Sequence, residues 1–142
     1  MFEDIAVPLL LAGNMGEIHG RTRLQKLIFL VQDIAATEET SSSNFGFELY
    51  RYGPYSRELS TQLNVLVSKG YLRMDPEPTI SGHARYCYSL TPEGKTLLND
   101  MKNQGMFDHK LQDVISKVSD KYGELKLPKL VRVAYKHFRQ DE

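Results

Sequence analysis

Only one cysteine, Cys87, stands among the 142 residues of this chain. A lone thiol excludes an internal disulfide and offers none of the paired spacings of zinc or redox motifs, so a reducing interior, the cytoplasm, is the expected location. Long hydrophobic runs are missing as well. The longest near the start, Ile5 to Ala12, is broken by Pro8 and has no basic stretch before it, which argues against both a secretory leader and a membrane span. Net charge is absent too: eighteen acidic side chains balance eighteen basic ones. Affinity for nucleic acid comes largely from phosphate neutralisation, so local charge would have to supply it here. There is no glycine-rich phosphate loop and no internal repeat. His19, His83, His109 and His137 are scattered without paired carboxylates or ligand spacing, so no catalytic residue, cofactor or metal is expected. Cys87 reads as a partly buried strand residue.

What is present suits one compact domain over residues 1–142, because the length and the 41% hydrophobic content allow one well-buried core and not two. Charge is unevenly placed. Residues 1 to 45 carry six acids against three bases, whereas 121 to 139 carry Lys121, Lys126, Lys129, Arg132, Lys136 and Arg139 against Glu124 alone. A first helix is expected over 2–12, with Pro8 straining its middle and Gly13-Asn14 closing it. Residues up to Gly20 read as a loop. Leu24, Leu27, Ile28, Val31, Ile34 and Ala35 recur at helical spacing, widened by Phe29 and Leu30, and predict a central core helix. Thr37 to Asn44 is polar and reads as a solvated loop.

The densest local signal runs from Phe45 to Met74. A short aromatic strand ending at Tyr52 is followed by a Gly53-Pro54 turn, and Ser56 is placed to cap a helix over about 56–69. That helix turns Leu59, Leu63, Leu66 and Val67 inward and Arg57, Ser60, Thr61, Asn64 and Ser68 outward. Tyr71 to Met74 and Arg85 to Leu90 read as paired strands with a proline-containing tip. Thr91-Pro92 starts a helix that runs to about Asn103. Weaker helical patterning follows from Phe107, and a last helix opens near Leu127-Pro128 and continues through Phe138.

Two groups of residues carry a resemblance to known families. Leu63 to Arg73, a leucine-spaced helix end running through Lys69-Gly70 into a strand, and Tyr88 to Gly94, a strand passing into a helix, resemble winged-helix proteins of the MarR and PadR kind. Arg23-Leu24-Gln25-Lys26-Leu27-Ile28-Phe29-Leu30 together with Leu49 to Leu59 is similar to YwgA-like proteins and to the related Panacea or SocA-like domains of some antitoxins. The resemblance covers Leu24 to Gly94, about half the chain. It implies an α+β, mainly helical fold: a winged helix-turn-helix core over about 21–103, a β-hairpin wing, and terminal helices 2–12 and 107–138 that pack on the core or form a dimer interface. The connection between the second and third helices is longer than in compact helix-turn-helix motifs, so a tight turn is not expected there.

Function follows as an expectation. A recognition helix over 56–69 would present Ser60, Thr61 and Asn64 to base edges and Arg57 to a phosphate or guanine, with Arg51 beside it. Arg73, His83 and Arg85 flank the wing, although Asp75 and Glu77 between them repel phosphates. Lys129, Arg132, Lys136 and Arg139 form a secondary basic stripe that could follow a phosphate track, although such a stripe is more often the wet face of a packing or dimerisation helix. The expected partner is double-stranded DNA, bound by a homodimeric regulator of transcription whose terminal helices, Met1 to Leu11 and Pro128 to Phe138, form the dimer contact. The alternatives are a winged-helix module that holds a protein partner, as zero net charge and the acidic wing favour, and a sensor with a small-molecule pocket beside the terminal helices. Tyr50, Tyr52 and Tyr55 either contact a partner or pack under the helix, two of the three being expected to pack. No enzymatic activity is expected.

Overall fold

The computed structural model describes residues 1–140. The chain runs α1 (Phe2–Met15), β1 (Ile18–His19), α2 (Arg21–Thr37), β2 (Glu48–Tyr50), β3 (Gly53–Tyr55), α3 (Arg57–Ser68), β4 (Leu72–Glu77), β5 (Arg85–Leu90), α4 (Pro92–Asn103), α5 (His109–Tyr122) and α6 (Leu127–Gln140). It is a mixed, mainly helical α+β architecture with two small antiparallel sheets, ordered β1-β5-β4 and β2-β3. The central helix is α2. Leu24, Leu27, Ile28, Leu30, Val31 and Ala35 are buried around it, and α5, α6 and β3 pack on its sides. A helix apolar around most of its circumference requires such enclosure.

Pro8 does not break α1. The helix continues to Met15 and ends at Gly16, whose φ of 81° suits glycine. Proline lacks the amide that would bond the carbonyl of Asp4, and the side-chain amide of Gln62 on α3 donates to that carbonyl instead, at 3.4 Å. Ala6, Val7, Leu9, Leu11 and Ala12 all lie in the core, against α5, α4 and β5. Of the two roles expected for this helix, the stretch from Ala6 to Ala12 packs on the core, and only Met1 and Phe2 among its large hydrophobes stay exposed for a dimer contact.

Two further expectations change. Residues 13–20 are not simply a loop, because Ile18 and His19 pair with Tyr88 and Cys87 and add a third strand to the sheet. Two residues carry too little alternation to be read as a strand. Gly53-Pro54 is not the turn; Arg51-Tyr52 turns the chain, and Gly53 and Pro54 return as strand β3 opposite Tyr50 and Leu49. Proline fits there because a two-stranded ribbon has only edge strands. The polar stretch after α2 is also less solvated than its composition suggests. Thr40 and Ser43 are buried, and Gln32 binds both the amide and the carbonyl of Phe45 while accepting from the Ser43 hydroxyl.

Candidate nucleic-acid interface

The mount of α3 is built from α2. Ser56 caps α3 by accepting from the Leu59 amide at 3.1 Å, and Leu59, Leu63 and Leu66 are buried as their spacing predicts. Ser56 is itself held from behind: its backbone amide donates to Gln25 Oε1 at 2.9 Å, and Gln25 Nε2 donates to its carbonyl at 2.8 Å. One residue along, the Lys26 ammonium donates to the Pro54 carbonyl at 2.8 Å while only 1% exposed. Burial pushes the Lys26 pKa down to about 8. Gly53 belongs to the same arrangement. Its φ is +89°, and a β-carbon there would sit 3.4 Å from Lys26 Cε.

Arg23 completes the set from the other side of α2. Its guanidinium donates to the carbonyls of Gly123 at 3.1 Å and Leu125 at 2.7 Å, tying down the turn between α5 and α6, and burial lowers its pKa. The two sequence stretches that carry the YwgA-like resemblance thus meet in space. Arg23, Gln25 and Lys26 act on backbone groups and position the turn, the ribbon and the helix.

The outer face of α3 contains a residue that the sequence reading missed. Arg21, at the start of α2, donates through Nε to the Tyr88 hydroxyl at 2.8 Å, through NH1 to Ser60 Oγ at 2.9 Å and through NH2 to Asn64 Oδ1 at 2.8 Å. Ser60 and Asn64 are therefore not freely solvated, as the helical pattern alone implied. Arginine cannot accept a hydrogen bond, so the Asn64 oxygen must face it and the Asn64 amide group faces away. Both side chains keep a donor to offer outward. Nothing in the spacing of α3 signals Arg21, because it lies 39 residues from Ser60.

Arg57 and Thr61 are exposed beside this cluster. Arg57 shares a hollow with Tyr50, Tyr55, Glu48 and Glu58, and the Glu58 carboxylate also accepts from the Gly46 amide at 3.1 Å. Arg51 lies at the turn of the β2-β3 ribbon, 6.0 Å from the centre of the Tyr52 ring. Tyr50 and Tyr52 are 42% and 60% exposed, with Leu49 at 41%. The expectation that two of the three tyrosines pack under the helix is corrected. The ribbon lifts them outward, and only Tyr55 is half-buried, edge-on to Tyr50.

The remaining candidates are dispersed. Arg73 is exposed on β4, and His83 on the tip between the strands. Arg85 on β5 donates through Nε to Glu77 at 2.8 Å, so much of its charge is answered within the hairpin. Lys129, Arg132, Lys136 and Arg139 are exposed on α6, whose buried residues Leu130 and Ala134 face inward, and Arg139 donates to the Tyr135 hydroxyl at 3.0 Å. The stripe lies on the exposed side of α6, whose other side packs on α2 and β3, and so on a different element from α3.

One constellation is invisible to local spacing. His19, Glu77 and Cys87 come from β1, β4 and β5, yet their ligand-type atoms all lie within 4.8 Å of one another. His19 Nδ1 pairs closely with Glu77, whose pKa is lowered first by that hydrogen bond. Burial, then the neighbouring carboxylate of Glu17, which accepts from the Cys87 thiol at 3.3 Å, pushes the thiol up to about 12. The reading of these histidines as lacking paired carboxylates fails in space for His19 and also for His137, whose Nδ1 lies 2.8 Å from Asp33 Oδ2.

Among the described residues no helix is long and apolar enough to cross a membrane. No protein-family profile matches the chain. Across 99 residues, 70% of its length, the chain is 31% identical to the uncharacterized protein YwgA of Bacillus subtilis (strain 168). The match covers 56% of that relative, so the chain spans little more than half the length of the curated protein it matches. Overall similarity thus agrees with the motif resemblance: this chain is similar to YwgA.

Proposed function

We propose that this is a winged helix-turn-helix protein that binds double-stranded DNA through α3 and regulates transcription. The observation that carries the reading is the Arg21 cluster. By donating to the acceptor atoms of Ser60 and Asn64, Arg21, whose guanidinium is itself largely engaged with Tyr88, Ser60, Asn64 and Met74, leaves the Ser60 hydroxyl and the Asn64 amide group as outward donors. Donor-rich surfaces complement the guanine edge, with its N7 and O6 acceptors, and phosphate oxygens. Arg57 and Thr61 extend the same face. The order of elements is that of a winged helix, with β4 and β5 as the wing and β1 as its third strand.

Glu48 and Glu58 beside Arg57, and Glu77 on Arg85, keep the cationic area small. The reading therefore implies hydrogen-bonded recognition with few phosphate contacts. Fluorescence anisotropy with a pool of labelled duplexes, across a range of salt, is the test. Binding should weaken with a logarithmic slope of between about 2 and 4, each neutralised phosphate contributing about 0.9. Absence of binding at low salt removes the proposal.

A second reading has its own support. Leu49, Tyr50 and Tyr52 with Arg51 form an exposed ribbon of the residue types that dominate protein interfaces, which suits a module that holds a protein partner. Nuclease-resistant, stoichiometric co-purification that is lost in Tyr52→Ala would favour it over DNA binding.

A further inference from the structure

We propose that His19, Glu77 and Cys87 form a binding site for a divalent transition-metal ion of the zinc class, stapling β1 to the β4-β5 hairpin. The placement comes from the sheet register. His19 lies directly opposite Cys87 on the β1-β5 pair, Asp75 lies opposite Cys87 on the β4-β5 pair, and Glu77 is two residues beyond Asp75. Side chains two apart on a strand, and those directly opposite across a pair, share one face. The face carrying these three is the one turned away from the core; Ile18, Tyr88 and Leu72, at the alternate positions, are buried in it.

The donor set matches the ion. Imidazole nitrogen, thiolate sulfur and carboxylate oxygen bind zinc at about 2.0 to 2.3 Å, which for tetrahedral geometry separates the ligand atoms by roughly 3.5 Å. The three ligand atoms lie within 4.8 Å of one another, close to that spacing, and binding would replace the direct His19–Glu77 hydrogen bond with bonds to the ion. Cys87 is 7% exposed, while the His19 side chain is half-exposed, so the site is walled by the sheet and open on one side for the ion and a water ligand. Hard oxygen-seeking cations are disfavoured by the sulfur.

Supporting groups are also in place. Arg85 Nε donates to Glu77 Oε2 at 2.8 Å, which fixes the carboxylate with Oε1 towards His19. Hydrogen bonds of this kind orient ligands in metal centres. Glu17 Oε2 lies 3.3 Å from Cys87 Sγ and can take the thiol proton, which passes to solvent when sulfur binds the ion.

Cobalt(II) titration of the reduced 142-residue chain is the direct test. One equivalent should produce a thiolate-to-cobalt charge-transfer band that zinc abolishes. The band should be lost in Cys87→Ser, and affinity should fall by about tenfold or more in His19→Ala and Glu77→Gln. His109→Ala on α5 should leave it unchanged. No charge-transfer band at millimolar cobalt, or affinity unaltered by both the His19 and Glu77 substitutions, overturns the site. If these variants misfold by circular dichroism, X-ray absorption of the zinc-loaded wild type decides. A shell with one sulfur and an imidazole supports the assignment, and a shell without sulfur or without imidazole refutes it.

Discussion

Gln25 and Ser56 exchange two hydrogen bonds in the interior, Gln25 Nε2 to the Ser56 carbonyl at 2.8 Å and the Ser56 amide to Gln25 Oε1 at 2.9 Å. A buried primary amide matches a peptide unit in both donor and acceptor, so the side chain of α2 acts as a short stretch of strand for the residue that starts α3. Gln25→Leu would leave the Ser56 amide buried without a partner and its carbonyl with only the Ser60 amide at 3.1 Å, at a cost of about 2–3 kcal/mol. Ser56→Ala would remove only the helix cap and cost about 1 kcal/mol. Urea denaturation should therefore rank Gln25→Leu as the more damaging change. The reverse order would show that the cap, and not the clasp, holds α3.

Lys26 makes stability depend on pH in a stated direction. Its folded pKa of about 8 lies below the ordinary 10.5, so below pH 8 both states carry the proton and the folded state bears the full penalty of a buried ammonium. Between pH 8 and 10.5 the unfolded chain binds more protons, and stability rises with pH. Measured as the difference between wild type and Lys26→Met, which cancels other titrations, the gain should be on the order of 2 kcal/mol. A flat difference across that window would contradict a buried, depressed lysine.

Gly94 tests how closely α4 approaches the start of the hairpin. A β-carbon there would lie 2.1 Å from the Tyr71 carbonyl oxygen and 2.8 Å from Leu90 Cδ1. Alanine normally improves a helix interior over glycine by about 1 kcal/mol. Gly94→Ala should instead lower stability by about 2 kcal/mol or more, because the opposing atom is backbone and cannot turn aside. Thermal melting gives the sign directly.

The DNA-binding proposal separates its residues by how they act. Arg57→Ala removes an exposed cation with no hydrogen-bond or ion-pair partner among the described residues, so duplex affinity should fall roughly uniformly across sequences and the salt slope by about 1. Arg21→Ala also frees the acceptors of Ser60 and Asn64, so it should relax sequence preference as well as affinity. Arg21→Lys supplies a charge without the three-way fork and should recover only the salt slope. Tyr52→Ala should leave duplex binding unchanged while weakening any protein partner.

The periodic elements were legible because each carries its signal locally. The leucines of α3, the cap at Ser56, the Thr91-Pro92 start of α4 and the hydrophobic spread of α2 all lie within a few turns of chain, and their positions in the structure agree. The strand β1 was not legible, since two residues acquire strand geometry only when β5 offers a partner. Pro8 misled for a related reason: the carbonyl it leaves free is served by Gln62, distant in sequence.

Composition and spacing by themselves determined that the chain is mainly helical with a hairpin, that α3 turns its leucines inward, and that Arg57 and Thr61 remain outside. Those outcomes follow from burial of apolar stripes and from caps, which are forces acting over one or two turns. The tertiary structure alone decided that Arg21 claims Ser60 and Asn64, that Gln25 and Lys26 hold the approach to α3, that α1 packs on the core, and that His19, Glu77 and Cys87 share one face of a sheet. Hydrogen bonds and ligand contacts form only when atoms come within a few ångströms in space, and the distance along the chain between Arg21 and Asn64 or between His19 and Cys87 carries no trace of that.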